Sequence, residues 1–158
     1  MKRFLTPLLL GLALLAPLPA AAQNAEADNM RLLREKMMGD KKLIVAANMA
    51  LTDAESKAFW PIYDAYQAEL QKINEQLGTI IADYARMHNA GKLTDARARA
   101  LMDRYLGAEE AEVRLKRTFA KRLDKVLPGV KVTRYLQIEN KIRAIVKYEL
   151  AGEVPLAK

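Results

Sequence analysis

Two interleaved seven-residue rows of apolar side chains constrain this chain most. Phe59, Tyr66, Ile73, Ile80 and Met87 form one row, and Tyr63, Leu70, Leu77 and Tyr84 form the other. Alternating steps of three and four residues, sustained over roughly four heptads, put both rows on one side of a helix and require a partner along a left-handed seam. No segment alternates with period two, so no sheet is expected and the fold class is all-α. A helix from Asp53 to Met87 spans about 50 Å at ~1.5 Å per residue. That is too long for a compact globule of this size, so the predicted architecture is an elongated four-helix hairpin or bundle with two long helices.

Local signals set the ends of the segments. Thr52 is suited to cap a helix start, and Glu55, three residues on, reaches back to the Thr52 amide, so the pair reads as a capping box. Pro61 falls about nine residues into the helix, where it removes a backbone bond and crowds the carbonyl four residues back. The sequence therefore predicts a kink there, between a short capped segment and a longer one. Asn89-Ala90-Gly91 ends the helix, with Gly91 as a left-handed cap.

Thr94 restarts the chain as an N-cap, with Arg97 where a box would carry Glu or Gln. The third helix is expected to reach Val126 with Leu101, Tyr105, Ala108, Leu115, Phe119 and Val126 on one face, interrupted by Glu112. Leu127-Pro128-Gly129 stops it. A fourth helix is expected over Lys131 to Ala151, with Tyr135, Ile138, Ile142 and Ile145 on one stripe. Before all of these, a segment from Asp28 to Met49 shows Met30, Leu33, Met37, Ile44 and Ala47 at helical spacings, with Gly39 in its middle. Residues 152–158 read as a flexible tail.

The first 22 residues have the parts of a secretory signal: Lys2 and Arg3, an apolar run from Leu8 to Leu15, and small residues at Ala20-Ala21-Ala22. Cleavage after Ala22 would leave one helical domain over residues 23–151 and place the product in the periplasm. The apolar run is too short, and too soon broken by Pro17 and Pro19, to read as a membrane span. With no cysteine, neither disulfides nor thiolate chemistry can contribute.

Removing Lys2 and Arg3 lowers the net charge from +7 to +5, and what remains is unevenly placed. Eleven Lys or Arg and only two acids lie between Arg114 and Lys147. In an exported chain such a region points to anionic protein segments, lipid headgroups or other envelope polyanions rather than nucleic acid.

Catalysis is poorly supplied, and no enzyme activity, cofactor or metal is expected. The single histidine, His88, falls at a helix end, where it is expected to interact with the terminal carbonyls and the helix dipole. Glu109, Glu110 and Glu112 form the one carboxylate cluster and read as a solvated face. Arg114, Arg117, Lys121 and Lys125 share a narrow stripe at ~100° per residue, opposite Leu115, Phe119 and Val126. This stripe reads either as a solvated outer face or as a cationic surface for a client or partner. Met30, Met37 and Met38, in the first segment, are candidates for adaptable contact. Phe59, Tyr63 and Tyr66 belong to the seam. Trp60 lies off it, covering the kink or offered to a partner.

The order of these features resembles the LTxxQ-motif periplasmic proteins, the Spy/CpxP-like family. A signal and a helix precede Leu51-Thr52-Asp53-Ala54-Glu55, which opens a long helix; a loop, a second long helix and a Leu127-Pro128 break lead to the last one. Thr52 matches the family's threonine, Glu55 stands for its glutamine, and the second motif is degraded to Leu127-Pro128-Gly129-Val130-Lys131. The resemblance implies an antiparallel homodimer shaped as a curved cradle. It also implies an ATP-independent chaperone of the envelope stress response that binds unfolded or envelope proteins. The alternatives are an accessory module that regulates a sensor kinase through its periplasmic domain, a metal-responsive relative, or a structural envelope protein.

Overall fold

In the computed structural model, residues 40–157 are described, and among them helices and short connections account for the whole fold, with no strand. Residues 40–49 are helical and are called α1. They are followed by α2 (Asp53–Asn89), α3 (Asp95–Leu123) and α4 (Gly129–Glu153). The expected signal, residues 1–22, and Met30, Leu33, Met37, Met38 and Gly39 lie outside the described residues.

Helix α2 begins as its sequence dictates. The Thr52 hydroxyl accepts from the Glu55 amide at 3.3 Å, and the Glu55 carboxylate accepts from the Thr52 amide at 2.8 Å. Two of the orphan donors at the helix start are thereby satisfied, and Asp53 and Glu55 sit where the positive end of the dipole favours them. At the other end Gly91 takes φ +62°, which costs a glycine nothing, and Lys92 donates its amide to the Met87 carbonyl at 2.9 Å.

Pro61 does not divide the helix in two: α2 runs without interruption from Asp53 to Asn89. Pro61 and Lys57 both face solvent, so water can reach the carbonyl that the proline leaves without a donor.

The two seam rows are buried as their spacing requires. Phe59, Tyr63, Tyr66, Leu70, Ile73, Leu77 and Ile80 are all in the core, and Tyr84 and Met87 are half-buried. They divide between two clusters. In the first, Phe59, Tyr63, Tyr66 and Leu70 pack with Val45 and Met49 of α1, Phe119 and Leu123 of α3, Leu127, and Val132 and Tyr135 of α4. In the second, Ile73, Leu77 and Ile80 pack with Leu101 and Ala108 of α3. Tyr135 meets the Phe59 ring edge-on with centroids 5.2 Å apart, and Tyr66 meets Phe119 likewise at 5.4 Å. Each such side chain contributes on the order of 1.5–3 kcal/mol through burial.

Several elements differ from the reading of the sequence. In α1 the buried stripe is Val45 and Met49, while Ile44 and Ala47 face solvent. Helix α3 ends at Leu123, short of Val126, where the chain tightens into i→i−3 bonds, from the Lys125 amide to the Arg122 carbonyl and from the Val126 amide to the Leu123 carbonyl. On α3, Leu101, Ala108 and Phe119 are buried as expected, but Tyr105 is exposed and Glu112 is buried. Helix α4 starts at Gly129 rather than Lys131, since Pro128 supplies the first accepting carbonyl to the amides of Lys131 and Val132. Its buried stripe is Val132, Tyr135 and Glu139, and Ile145 is exposed. Helix α4 also continues to Glu153, and beyond it the Tyr84 hydroxyl donates to the Pro155 carbonyl at 2.8 Å, so the tail expected to be loose is tied to α2.

Candidate protein-binding surface

Helix α3 carries two neighbouring stripes on the side away from Leu101 and Phe119. Met102, Leu106 and Val113 form the first, at spacings of four and seven, and they stand 56, 51 and 48 % exposed. Arg114, Arg117, Lys121 and Lys125 form the second and are also exposed. Arg114 is engaged by Glu110 at 3.2 Å, one helical turn away, in a pair open to water. Among the described residues Arg117, Lys121 and Lys125 make no ion pair. Leu106, Glu109, Glu110, Val113, Arg114 and Arg117 line a shallow groove along this face. Exposed apolar side chains followed along one helix by exposed cations suit an amphipathic or unfolded polypeptide segment better than a small ligand.

The carboxylates expected to be solvated are not equivalent. Glu110 is exposed, Glu109 is held by Lys147 of α4, and Glu112 is only 3 % exposed. Glu112 accepts from Arg143 of α4 at 2.6 Å and from Lys116 at 2.7 Å. Arg143 donates also to Asn74 of α2 at 2.7 Å, so one guanidinium joins three helices. Burial pushes the Glu112 carboxyl up, but Lys116 and Arg143 outweigh it and hold the group below the usual carboxylate range.

A second buried polar group lies where α1, α2 and α4 meet. Lys41 donates to Glu139 at 2.7 Å and to the Gln67 side-chain carbonyl at 2.8 Å. The Gln67 amide donates to Glu139 at 2.9 Å. Around it, burial first and then the Glu139 charge push the Tyr63, Tyr66 and Tyr135 hydroxyls well above the ordinary tyrosine range. These phenols stay protonated.

The residues singled out in the sequence are thus distributed over separate places. Thr52 and Glu55 cap α2, and Thr94 caps α3 by accepting from the Arg97 amide at 3.4 Å. The Arg97 guanidinium turns to the Lys92 carbonyl instead of closing a box. Arg114, Arg117, Lys121 and Lys125 share the outer face of α3. Trp60 is not on that face: its indole N–H donates to Ser56 at 2.9 Å, its ring packs on Phe59 and Tyr63, and the Lys42 ammonium lies 5.1 Å from its centroid. His88 lies in the last turn of α2, as expected, beside Tyr84, with Nδ1 3.4 Å from the Asn89 side-chain carbonyl oxygen and no hydrogen bond to a terminal carbonyl among the described residues. Met30, Met37 and Met38 lie outside the described residues. Among the described residues no three His, Asp or Glu side chains converge as metal ligands, and no helix is long and apolar enough to cross a membrane.

Met102, Leu106 and Val113 were not singled out by the sequence reading, although the wheel that gives the basic stripe places them at an adjacent angle, earlier along the same helix. Lys41, Gln67 and Glu139 had no comparable signal, because each is an ordinary polar residue until its partners are known. Compared with family models, with curated proteins and with solved structures, the chain gives no match in any of the three.

Proposed function

We propose that this is an exported, nucleotide-independent protein-binding chain of chaperone type, acting in the periplasm on unfolded or envelope proteins. The observation that carries this reading is the outer face of α3, along which the exposed apolar side chains Met102, Leu106 and Val113 are followed by Arg117, Lys121 and Lys125, cations without an ion pair among the described residues. The cations attract acidic segments at a distance and the apolar stripe retains them by contact, an arrangement that asks for no unique sequence in the client. The resemblance to the LTxxQ-motif proteins supports the same reading through Thr52 and Glu55, whose capping box opens the long helix.

The test is light scattering from two unrelated proteins as they unfold, with and without the purified protein, in the absence of nucleotide. Suppression of both at near-equal concentrations is the expected result; suppression of neither overturns the proposal. Reversing Arg117 and Lys121 to Glu weakens the effect, and by more at low salt than at 0.5 M salt, since exposed charges are screened within a few ångströms there. Equal losses at both ionic strengths would remove the cations from the mechanism.

A further inference from the structure

Helix α1 presents three side chains one turn apart, Lys41, Val45 and Met49, to a groove between α2 and α4. Val45 and Met49 are fully buried among Phe59, Tyr63, Tyr66, Val132 and Tyr135. Lys41 ends in a site built from both walls, the Gln67 side-chain carbonyl of α2 and the Glu139 carboxylate of α4. The groove therefore reads a simple pattern: a cation, then an apolar side chain four residues on, then another four beyond that. This is the chemistry opposite to the outer face of α3, which suits acidic segments.

The attachment of α1 is uneven. Its connection to α2 passes through Ala50, which takes φ +46°, a left-handed conformation that an alanine adopts only under constraint. The constraint is visible: Lys131 of α4 donates to the Ala50 carbonyl at 3.0 Å while also pairing with Glu55. The second tether, Lys42 to Asp64 at 2.7 Å, is open to water on both sides. Beneath α1, the buried hydroxyls of Tyr63 and Tyr66 find no partner among the described residues. A strained hinge, a water-exposed tether and unpaired hydroxyls all weaken the closed arrangement, and what holds it, the burial of Val45 and Met49 and the pairing of Lys41 with Glu139, is what an incoming helix of the same pattern would replace.

We propose that the groove between α2 and α4 is a binding site for basic, apolar helices of other polypeptides, and that α1 is its built-in occupant. The partner is a helix carrying Lys or Arg followed by apolar side chains at the fourth and eighth positions after it. It enters as α1 swings out about Ala50.

The chain supplies its own reporter, since Trp60 is its one tryptophan and lies under Lys42. The probe is a synthetic peptide with the sequence of residues 41–50, titrated against the purified protein and against its Val45→Asp variant, with Trp60 emission as the readout. The expected result is at least tenfold tighter binding by Val45→Asp than by the parent. A peptide carrying Glu at its first position should not bind. A second variant, Lys42→Cys with Asp64→Cys, closed by a short bis-maleimide reagent, should lose the peptide response that its unbridged form keeps at millimolar peptide.

No binding by a Val45→Asp protein that still melts cooperatively overturns the proposal. Should Val45→Asp fail to melt cooperatively, the bridged pair decides: identical responses in the bridged and unbridged forms overturn it. A doubled molar mass that falls back to the monomer value when the 41–50 peptide is added also overturns it, because the groove would then serve a second copy of the chain.

Discussion

A single carboxylate shows how far one residue's environment can override its local reading. Glu112 stands in a run of acids on a helix, yet it is buried against Arg143 and Lys116. Its folded-state pKa is lowered from 4.5, so the folded protein binds this proton less readily than the unfolded chain does. The stabilisation is therefore fully present above about pH 4.5 and is lost as pH falls through the lowered value. Glu112→Gln should flatten that acid limb and, by leaving Arg143 buried against a neutral partner, cost about 3–5 kcal/mol at pH 7. Urea midpoints of both proteins at pH 7 and pH 3 would check this; equal differences at the two pH values would mean that the carboxylate charge is not what matters. The Thr52 and Glu55 caps were legible in the sequence because every atom involved lies within four residues. Glu112 was not, because its decisive partner is 31 residues away on another helix.

At the scale of the element, legibility follows length and regularity. The α2 rows repeat often enough that their face is unambiguous, and the helix tolerates Pro61 because packing along the seam far outweighs one missing bond. Helix α1 is short, and over ten residues two different faces look equally apolar. Ile44 and Ala47 fit one stripe, Val45 and Met49 the other, and only the aromatic cluster on α2 and α4 selects between them. In α4 the confusion arises from charge: a carboxylate at position 139 breaks an apolar stripe on paper, but Lys41 and Gln67 supply what it needs to be buried. The selected stripe in α1 has a direct test. Met49→Ala should cost about 2–5 kcal/mol by opening a cavity, whereas Ile44→Ala should fall within about 0.5 kcal/mol of the parent. Comparable losses in chemical denaturation would return α1 to the face read from its sequence.

Over the whole of the described chain, the all-α class was legible, and so was the placement of breaks at Gly91 and Leu127-Pro128. The division of the core into two clusters was not, since the seam of α2 runs through both without a change of spacing. The aromatic cluster draws side chains from all four helices, the aliphatic one from α2 and α3. Amides of α2 between Phe59 and Leu70 should therefore exchange with deuterium markedly more slowly than those beyond Ile80, measured residue by residue by NMR; uniform protection along α2 would mean that the core opens as one unit. The Lys41, Gln67 and Glu139 cluster bears on how such a molecule finds its alignment at all. Hydrocarbon rows accept one another almost as well one repeat up or down, so a seam of Leu, Ile and Tyr alone would let helices slide. Move α4 by one heptad along α2 and Glu139 comes opposite Trp60 or Asn74, parted from Lys41, which stays beside Gln67 without its countercharge. The three polar side chains thus act as a key, penalising any shift that parts Glu139 from Lys41 and Gln67 more than they reward the right pairing.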